Sequence, residues 1–213
     1  ISNLKIIIDC GNGVTGKVIK EIFNNLNIEI EVINEKVDGE FPNHSPDPTN
    51  INNLNQLKKK MKECNADIGI AYDGDGDRII AIDKYLNIIW PDQLLMIFSK
   101  NILENKPGNK IVYDVKCSKH LENIIIENKG TPILSRTGHS FIKESIIKNN
   151  AILGGEMSGH IFFNDKWYGF DDGIYVFLRF LEILSQEDQL LKALEDLPKT
   201  YATPEIDIEF NGN

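Results

Sequence analysis

Apolar and polar residues fall along the chain in blocks whose period switches repeatedly between that of strands and that of helices. The run Lys5-Ile6-Ile7-Ile8-Asp9 is short, continuous and β-branched, which predicts a buried strand. Residues 14–26 predict a helix and residues 28–34 a second strand. Residues 38–50 contain Pro42, Pro46 and Pro48, whose missing N–H and fixed φ exclude regular structure, so a loop is expected there. Leu54, Leu57, Met61 and Cys64 mark one face of a helix, and residues 68–72 form another continuous apolar run. Residues 79–83 and 88–90 predict two short strands around a turn at 84–87.

After Pro91 the order begins again. Helices are expected at 94–103, 121–128, 141–148 and 174–184, with strands at 111–114, 133–135, 152–153 and 161–163. The halves echo each other. KIIIDCGNG and KIVYDVKCS each read as a strand ending in Asp, a small polar loop and a helix start. ADIGIAYDGDGDR and NAILGGEMSGH each read as a later strand running into a glycine-rich loop. The expected fold is therefore α/β, with two similar domains whose mixed, mainly parallel sheets are flanked by helices. Those domains are expected over residues 1–87 and 88–200. Residues 201–213, with the strand-like EIDIEF, are expected to be a stub leading to a further domain.

Composition narrows the function classes. At 213 residues and 41% hydrophobic content the chain can bury a sizeable core. Its 32 acidic against 23 basic residues set a net charge of −9, which argues against a nucleic-acid binder. No apolar run reaches membrane-spanning length, and no signal peptide is read before Ile1, so a cytoplasmic protein with no membrane partner is expected. Cys10, Cys64 and Cys117 are odd in number and widely spaced, which fits reduced thiols and neither a disulfide frame nor a zinc site.

Chemistry concentrates in loops after strands. Asp73-Gly74-Asp75-Gly76-Asp77-Arg78 sets three carboxylates within five residues. Left unneutralised they repel one another, and the two glycines let the backbone curl so that all three converge. Converging hard oxygens suit Mg²⁺, the alternative being an exposed acidic turn. An EF-hand is excluded by register, since Arg78 would stand at its glycine position and Lys84 at its closing glutamate. Arg78 beside such an ion suggests a phosphate, whose oxygens match a planar guanidinium.

The loop Gly154-Gly155-Glu156-Met157-Ser158-Gly159-His160 offers Glu156 and Ser158 for neighbouring sugar hydroxyls and His160 for proton transfer, although a plain hairpin loop has similar composition. Lys116, Arg136 and His139 also follow strand ends, where open α/β sheets gather ligands. Finally, Gly11, Gly13 and Gly16 in GNGVTG match a dinucleotide fingerprint, with Glu35 placed as a ribose-binding acid. A sharp strand-to-helix turn fits the same glycines.

Taken together, VDGEFPNHSPDP, AYDGDGDR, YDVKCS, RTGHS, GGEMSGHIFF and WYGFDDGIY resemble the α-D-phosphohexomutase family, most closely its phosphomannomutase/phosphoglucomutase branch. The stretches keep the family's order over nearly the whole chain. The resemblance implies the second and third of four domains. It implies that Asp73, Asp75 and Asp77 hold Mg²⁺, that Arg78 sits beside a transferable phosphoryl group, and that Glu156 and Ser158 bind sugar hydroxyls. Lys116, His139 and His160 would line the cleft as phosphate-binding or proton-transfer groups. The implied substrates are mannose or glucose 1- and 6-phosphate, interconverted through a phosphoserine and a 1,6-bisphosphate.

The family's serine loop, of the form T-A-S-H-N-P, is absent from this sequence, as is its C-terminal phosphate-gripping loop. A central fragment, inactive alone, is therefore expected, with its N- and C-terminal domains as partners. Under the same resemblance GNGVTG is a structural turn. Gln93 and Arg136 stand where relatives commonly carry Arg and many carry Lys, and loss of a cation at Gln93 is expected to weaken phosphate contact. Two other functions compete: a non-catalytic module binding Mg²⁺ and sugar phosphate, and a haloacid-dehalogenase-like phosphatase. The second needs its aspartates after the first strand of its core, whereas here they follow the third.

Overall fold

The computed structural model describes residues 4–24, 26, 28–185 and 197–198. The first sheet is built from β1 (Lys5–Asp9), β2 (Glu29–Ile33), β3 (Ile68–Tyr72), β4 (Ile79–Asp83) and β5 (Ile88–Ile89), in the order β2-β1-β3-β4-β5. The second is built from β6 (Lys110–Asp114), β7 (Thr131–Ser135), β8 (Leu153–Gly155) and β9 (Ile161–Phe163), in the order β7-β6-β8-β9. In each sheet the first strand pairs parallel with the next two, and the following strand turns back antiparallel. The two halves therefore share one topology, as their sequence echo predicts. Ile88 and Ile89 pair with β4, so the strand beginning just after residue 87 completes the first sheet.

The repeat extends to packing. Gly69 of β3 lies opposite Ile7, and Gly154 of β8 lies opposite Val112. Helix α2 (Asn55–Cys64) crosses Gly69 so closely that a Cβ there would sit 2.3 Å from Met61 Sδ. Helix α5 (His139–Asn149) crosses Gly154 in the same way, with Ile146 Cδ1 at 2.6 Å from such a Cβ. Each glycine thus lets a helix lie flat on one face of its sheet, over Leu57 and Met61 in one half and Ile142 and Ile146 in the other.

The opposite faces of both sheets meet in a common core. Helices α3 (Pro91–Asn105), α4 (Lys119–Glu127) and α6 (Gly173–Leu184) fill it, joined by α1 (Ile19–Phe23). Phe177 of α6 packs on Phe23 with ring centroids 5.3 Å apart, while Phe180 approaches Phe98 at 6.4 Å. Arg179, nearly buried in this helix, makes a forked ion pair with Asp165 at 2.6 and 3.1 Å, which satisfies its charge away from water. Among the described residues, no helix is long and apolar enough to cross a membrane.

One expectation needs correction. Residues 14–26 do not form one helix: Val14–Lys17 is a 3₁₀ turn, and α1 begins only at Ile19. The cause is close approach, since a Cβ at Gly16 would lie 1.9 Å from the Glu35 carbonyl oxygen and one at Gly13 would lie 2.5 Å from that of Gly74. Gln93 is a helix cap, its Oε1 accepting the Trp90 backbone N–H at 2.9 Å, so glutamine serves α3 directly there. EIDIEF lies outside the described residues.

The Gly11 amide donates to Asp9 Oδ1, the Asn12 amide to Asn34 O, the Gly13 amide to Cys10 O and the Val14 amide to Gly74 O. Donors spent inside the fold cannot cradle a pyrophosphate. Glu35 pairs with Lys20. GNGVTG is a packing turn that braces the aspartate loop.

Candidate metal and hydroxyl-binding site

Strand β3 is fully buried and ends at Tyr72, so Asp73 enters the loop already inside the protein, 1% exposed. Its carboxylate organises the loop. Oδ1 accepts the amides of Gly76 at 3.0 Å and Arg78 at 3.1 Å, and Oδ2 accepts Arg78 Nε at 2.7 Å. Gly76 supplies the reversal with φ +80°. In consequence Asp73, Asp75 and Asp77 each present an oxygen within 4.8 Å of the others, from buried to exposed in the order Asp73, Asp77, Asp75. Arg78 is held from a second side by Asp47, whose Oδ1 lies 3.4 Å from Nη1.

The electrostatics of this loop are unfavourable without a cation. Burial, reinforced by Asp73, Asp75 and Asp171 and opposed by His160, pushes the Asp77 carboxyl up to about 6. Asp77 Oδ1 is buried and lacks a hydrogen-bond partner. A buried orphan oxygen and three converging carboxylates fit a hard divalent ion such as Mg²⁺.

The second loop is joined to the first by backbone. Arg78 and His160 form an antiparallel bridge, and the Ile79 amide donates to Gly159 O at 3.3 Å. Gly159, at φ +109°, is pressed against Ile79, whose carbonyl oxygen would stand 3.1 Å from any Cβ there. Glu156 is 3% exposed; its Oε2 accepts the Gly138 amide at 2.8 Å and its Oε1 accepts the Ser158 hydroxyl. The side chain expected to reach for sugar hydroxyls is thus already tied to the turn before α5 and to Ser158. His160 stacks on His139 at 5.3 Å. Burial lowers the His160 pKa, but Asp171, Asp77 and Glu156 outweigh it and the net shift is upward.

The predicted residues divide by position. Asp73, Asp75, Asp77, Arg78, Glu156, Ser158, His139 and His160 form one continuous cluster. Lys116 stands exposed after β6, and Arg136 is exposed with its guanidinium 3.7 Å above the Phe141 ring. Asp171 was missed. Its Oδ2 lies 2.9 Å from His160 Nδ1 and 3.6 Å from His139 Nδ1. In sequence it is one of two adjacent aspartates before a helix, and only Asp172 caps that helix, accepting the Tyr175 amide at 3.0 Å. A cleft of about 400 Å³ opens beside the cluster between Val14, Lys17, Asp75, Asp77, Asp171 and Ile174.

Sequence profiles match this chain in two consecutive parts. Phosphoglucomutase/phosphomannomutase, alpha/beta/alpha domain II, matches residues 1–86, and domain III of the same enzymes matches residues 90–201. The chain belongs to the α-D-phosphohexomutase family. A phosphomannomutase/phosphoglucomutase of Pseudomonas syringae pv. tomato is 47% identical over 207 residues, covering 97% of this chain and 44% of the relative. A solved phosphoglucomutase/phosphomannomutase family protein of Burkholderia thailandensis superimposes with TM-score 0.90 at 44% identity, over 94% of this chain and 44% of that one. An Aspergillus fumigatus N-acetylphosphoglucosamine mutase, solved with GlcNAc-6P and magnesium, shares the fold with TM-score 0.66 at 16% identity, over 90% and 48% of the two chains. The chain therefore spans a little under half the length of these phosphohexomutases.

Proposed function

We propose that this chain is the metal- and hydroxyl-binding centre of a Mg²⁺-dependent phosphohexomutase that interconverts hexose 1- and 6-phosphates of the mannose and glucose type. The observation carrying this is the convergence of Asp73, Asp75 and Asp77, with Asp77 Oδ1 buried and unpartnered, in a loop bridged by backbone to that of Glu156, Ser158 and His160. Asp73, Asp75 and Asp77 would hold Mg²⁺, which supplies charge neutralisation for a phosphoryl group in transfer. Arg78, fixed by Asp73 and Asp47, offers its remaining N–H groups to phosphate oxygens. The Glu156 carboxylate orients Ser158 and the Gly138 turn, setting a rigid polar edge for a sugar hydroxyl. His160, stacked on His139, can hold or release a proton at a sugar oxygen, and Lys116 adds an exposed cation at the same sheet end.

The phosphoserine donor, the 1,6-bisphosphate and the grip on the distal phosphate belong, on this proposal, to domains flanking residues 1–200, in a cytoplasmic enzyme. The test is conversion of glucose 1-phosphate to glucose 6-phosphate by this chain alone and joined to the flanking domains of a relative. No turnover alone and turnover when joined are expected. In the joined protein Glu156→Ala should lower kcat/KM by about 10²–10³, the range for losing one preorganised polar group. Turnover by the bare chain, or an unaltered kcat/KM in the variant, contradicts the proposal.

A further inference from the structure

Among the described residues, buried polar atoms without a hydrogen-bond partner include Asp77 Oδ1, His160 Nδ1 and Asp171 Oδ2, all in one place. His160 Nδ1 lies 2.9 Å from Asp171 Oδ2 and 3.5 Å from Asp77 Oδ2. The nitrogen thus faces two carboxylate acceptors, Asp171 the nearer and Asp77 the farther. Both carboxylates are partly shielded from water, so an unmade hydrogen bond here is costly and the donor will take whichever acceptor is free.

We infer that Asp171 is a positioning residue that draws the His160 Nδ1–H to itself and so keeps the imidazole from occupying Asp77. The inference rests on the proposed reading of the three aspartates as a cation site. With Asp171 present, a cation can withdraw Asp77 into its coordination shell while the N–H turns fully to Asp171. With Asp171 gone, Asp77 becomes the acceptor nearest to that N–H, and the imidazole competes with the cation for the same carboxylate. The same contact holds the ring so that Nε2 faces Glu156 Oε1 at 3.8 Å, and His139, 3.6 Å from Asp171, backs it by stacking. A single carboxylate from the stretch before α6 thereby sets the geometry between the metal loop and the hydroxyl loop.

An alternative role for Asp171 is simply to add negative charge near the ion, and a double-mutant cycle separates the two. Mg²⁺ affinity of the full chain is measured by calorimetric titration for the parent, Asp171→Ala, His160→Gln and the double variant. Acting through His160, Asp171→Ala should raise Kd about tenfold in the parent background and less than about twofold in the His160→Gln background, a coupling of ordinary size for residues in contact. An equal loss in both backgrounds overturns the inference while leaving the cation site standing. Should Asp171→Ala fail to fold, His160→Gln alone still decides, because removing the competitor must leave Mg²⁺ affinity unchanged or tighter. Weaker binding by that variant overturns the inference. A parent that binds no Mg²⁺ overturns the cation reading and this inference with it.

Discussion

At the scale of single residues, His44 shows how a buried charge pins a loop that has no regular structure. Its Nδ1 lies 2.8 Å from Ser45 O, and its Nε2 lies 3.1 Å from Asp9 Oδ2. The two hydrogens of Asn34 Nδ2 go to Asp9 Oδ1 and Gln56 Oε1, each at 3.0 Å, leaving none for the histidine. Both ring nitrogens face acceptors, and the Asp9 hydrogen bond raises the His44 pKa, which favours the imidazolium. Because the folded pKa exceeds the unfolded one, this stabilisation is complete below about pH 6.5 and is lost as pH rises through the folded value. His44→Gln should therefore destabilise by about 1.5–3 kcal/mol near pH 6, with the gap to the parent narrowing as pH rises above about 6.5. Thermal melting across that range checks it, and a constant or widening gap contradicts it. Asp9 at a strand end was visible in the sequence. Its partners were not, because Asn34 and His44 reach it from distant turns through side-chain geometry that no periodicity encodes.

At the scale of elements, α6 begins where the aspartate loop ends. The Gly173 amide donates to Gly76 O at 3.0 Å, and a Cβ at Gly173 would stand 2.8 Å from that oxygen and 3.1 Å from Arg78 O. The helix that fills the common core thus leans its first residue directly on the aspartate loop. Gly173→Ala should cost about 1–3 kcal/mol and weaken Mg²⁺ binding together, since the extra methyl must displace one element from the other. Gly39→Ala, where nothing lies within 4 Å, should change neither quantity. Melting and cation titration of the two variants settle the point. Periodicity revealed the described strands and most helices here, since each buries one clear apolar face. It failed at residues 14–26, where apolar positions at helical spacing were overridden by contacts of Gly13 and Gly16 with the Gly74 and Glu35 backbones. Such an override comes from tertiary approach and leaves no local trace.

At the scale of the whole molecule, two copies of one α/β topology face each other across a shared apolar core, and their loops meet at the Arg78–His160 bridge. The equivalence is chemical as well. Asp9 and Asp114 each end a central strand, and each ties down the loop after the neighbouring strand, through Asn34 in one half and Thr137, at 2.8 Å, in the other. Beyond that common frame the halves diverge, one loop carrying three converging aspartates and the other Glu156, Ser158 and His160. Glycine and charge patterns made both loops legible. Asp171 was not, because it acts across to His160 and His139 from the stretch before α6. The central claim is that the three aspartates close around one divalent ion in the cleft between the halves. Crystals grown with Mn²⁺ in place of Mg²⁺, measured for anomalous scattering, test it most directly. A single strong peak within bonding distance of Asp73, Asp75 and Asp77 is expected; no peak there, or aspartates turned apart toward solvent, contradicts it.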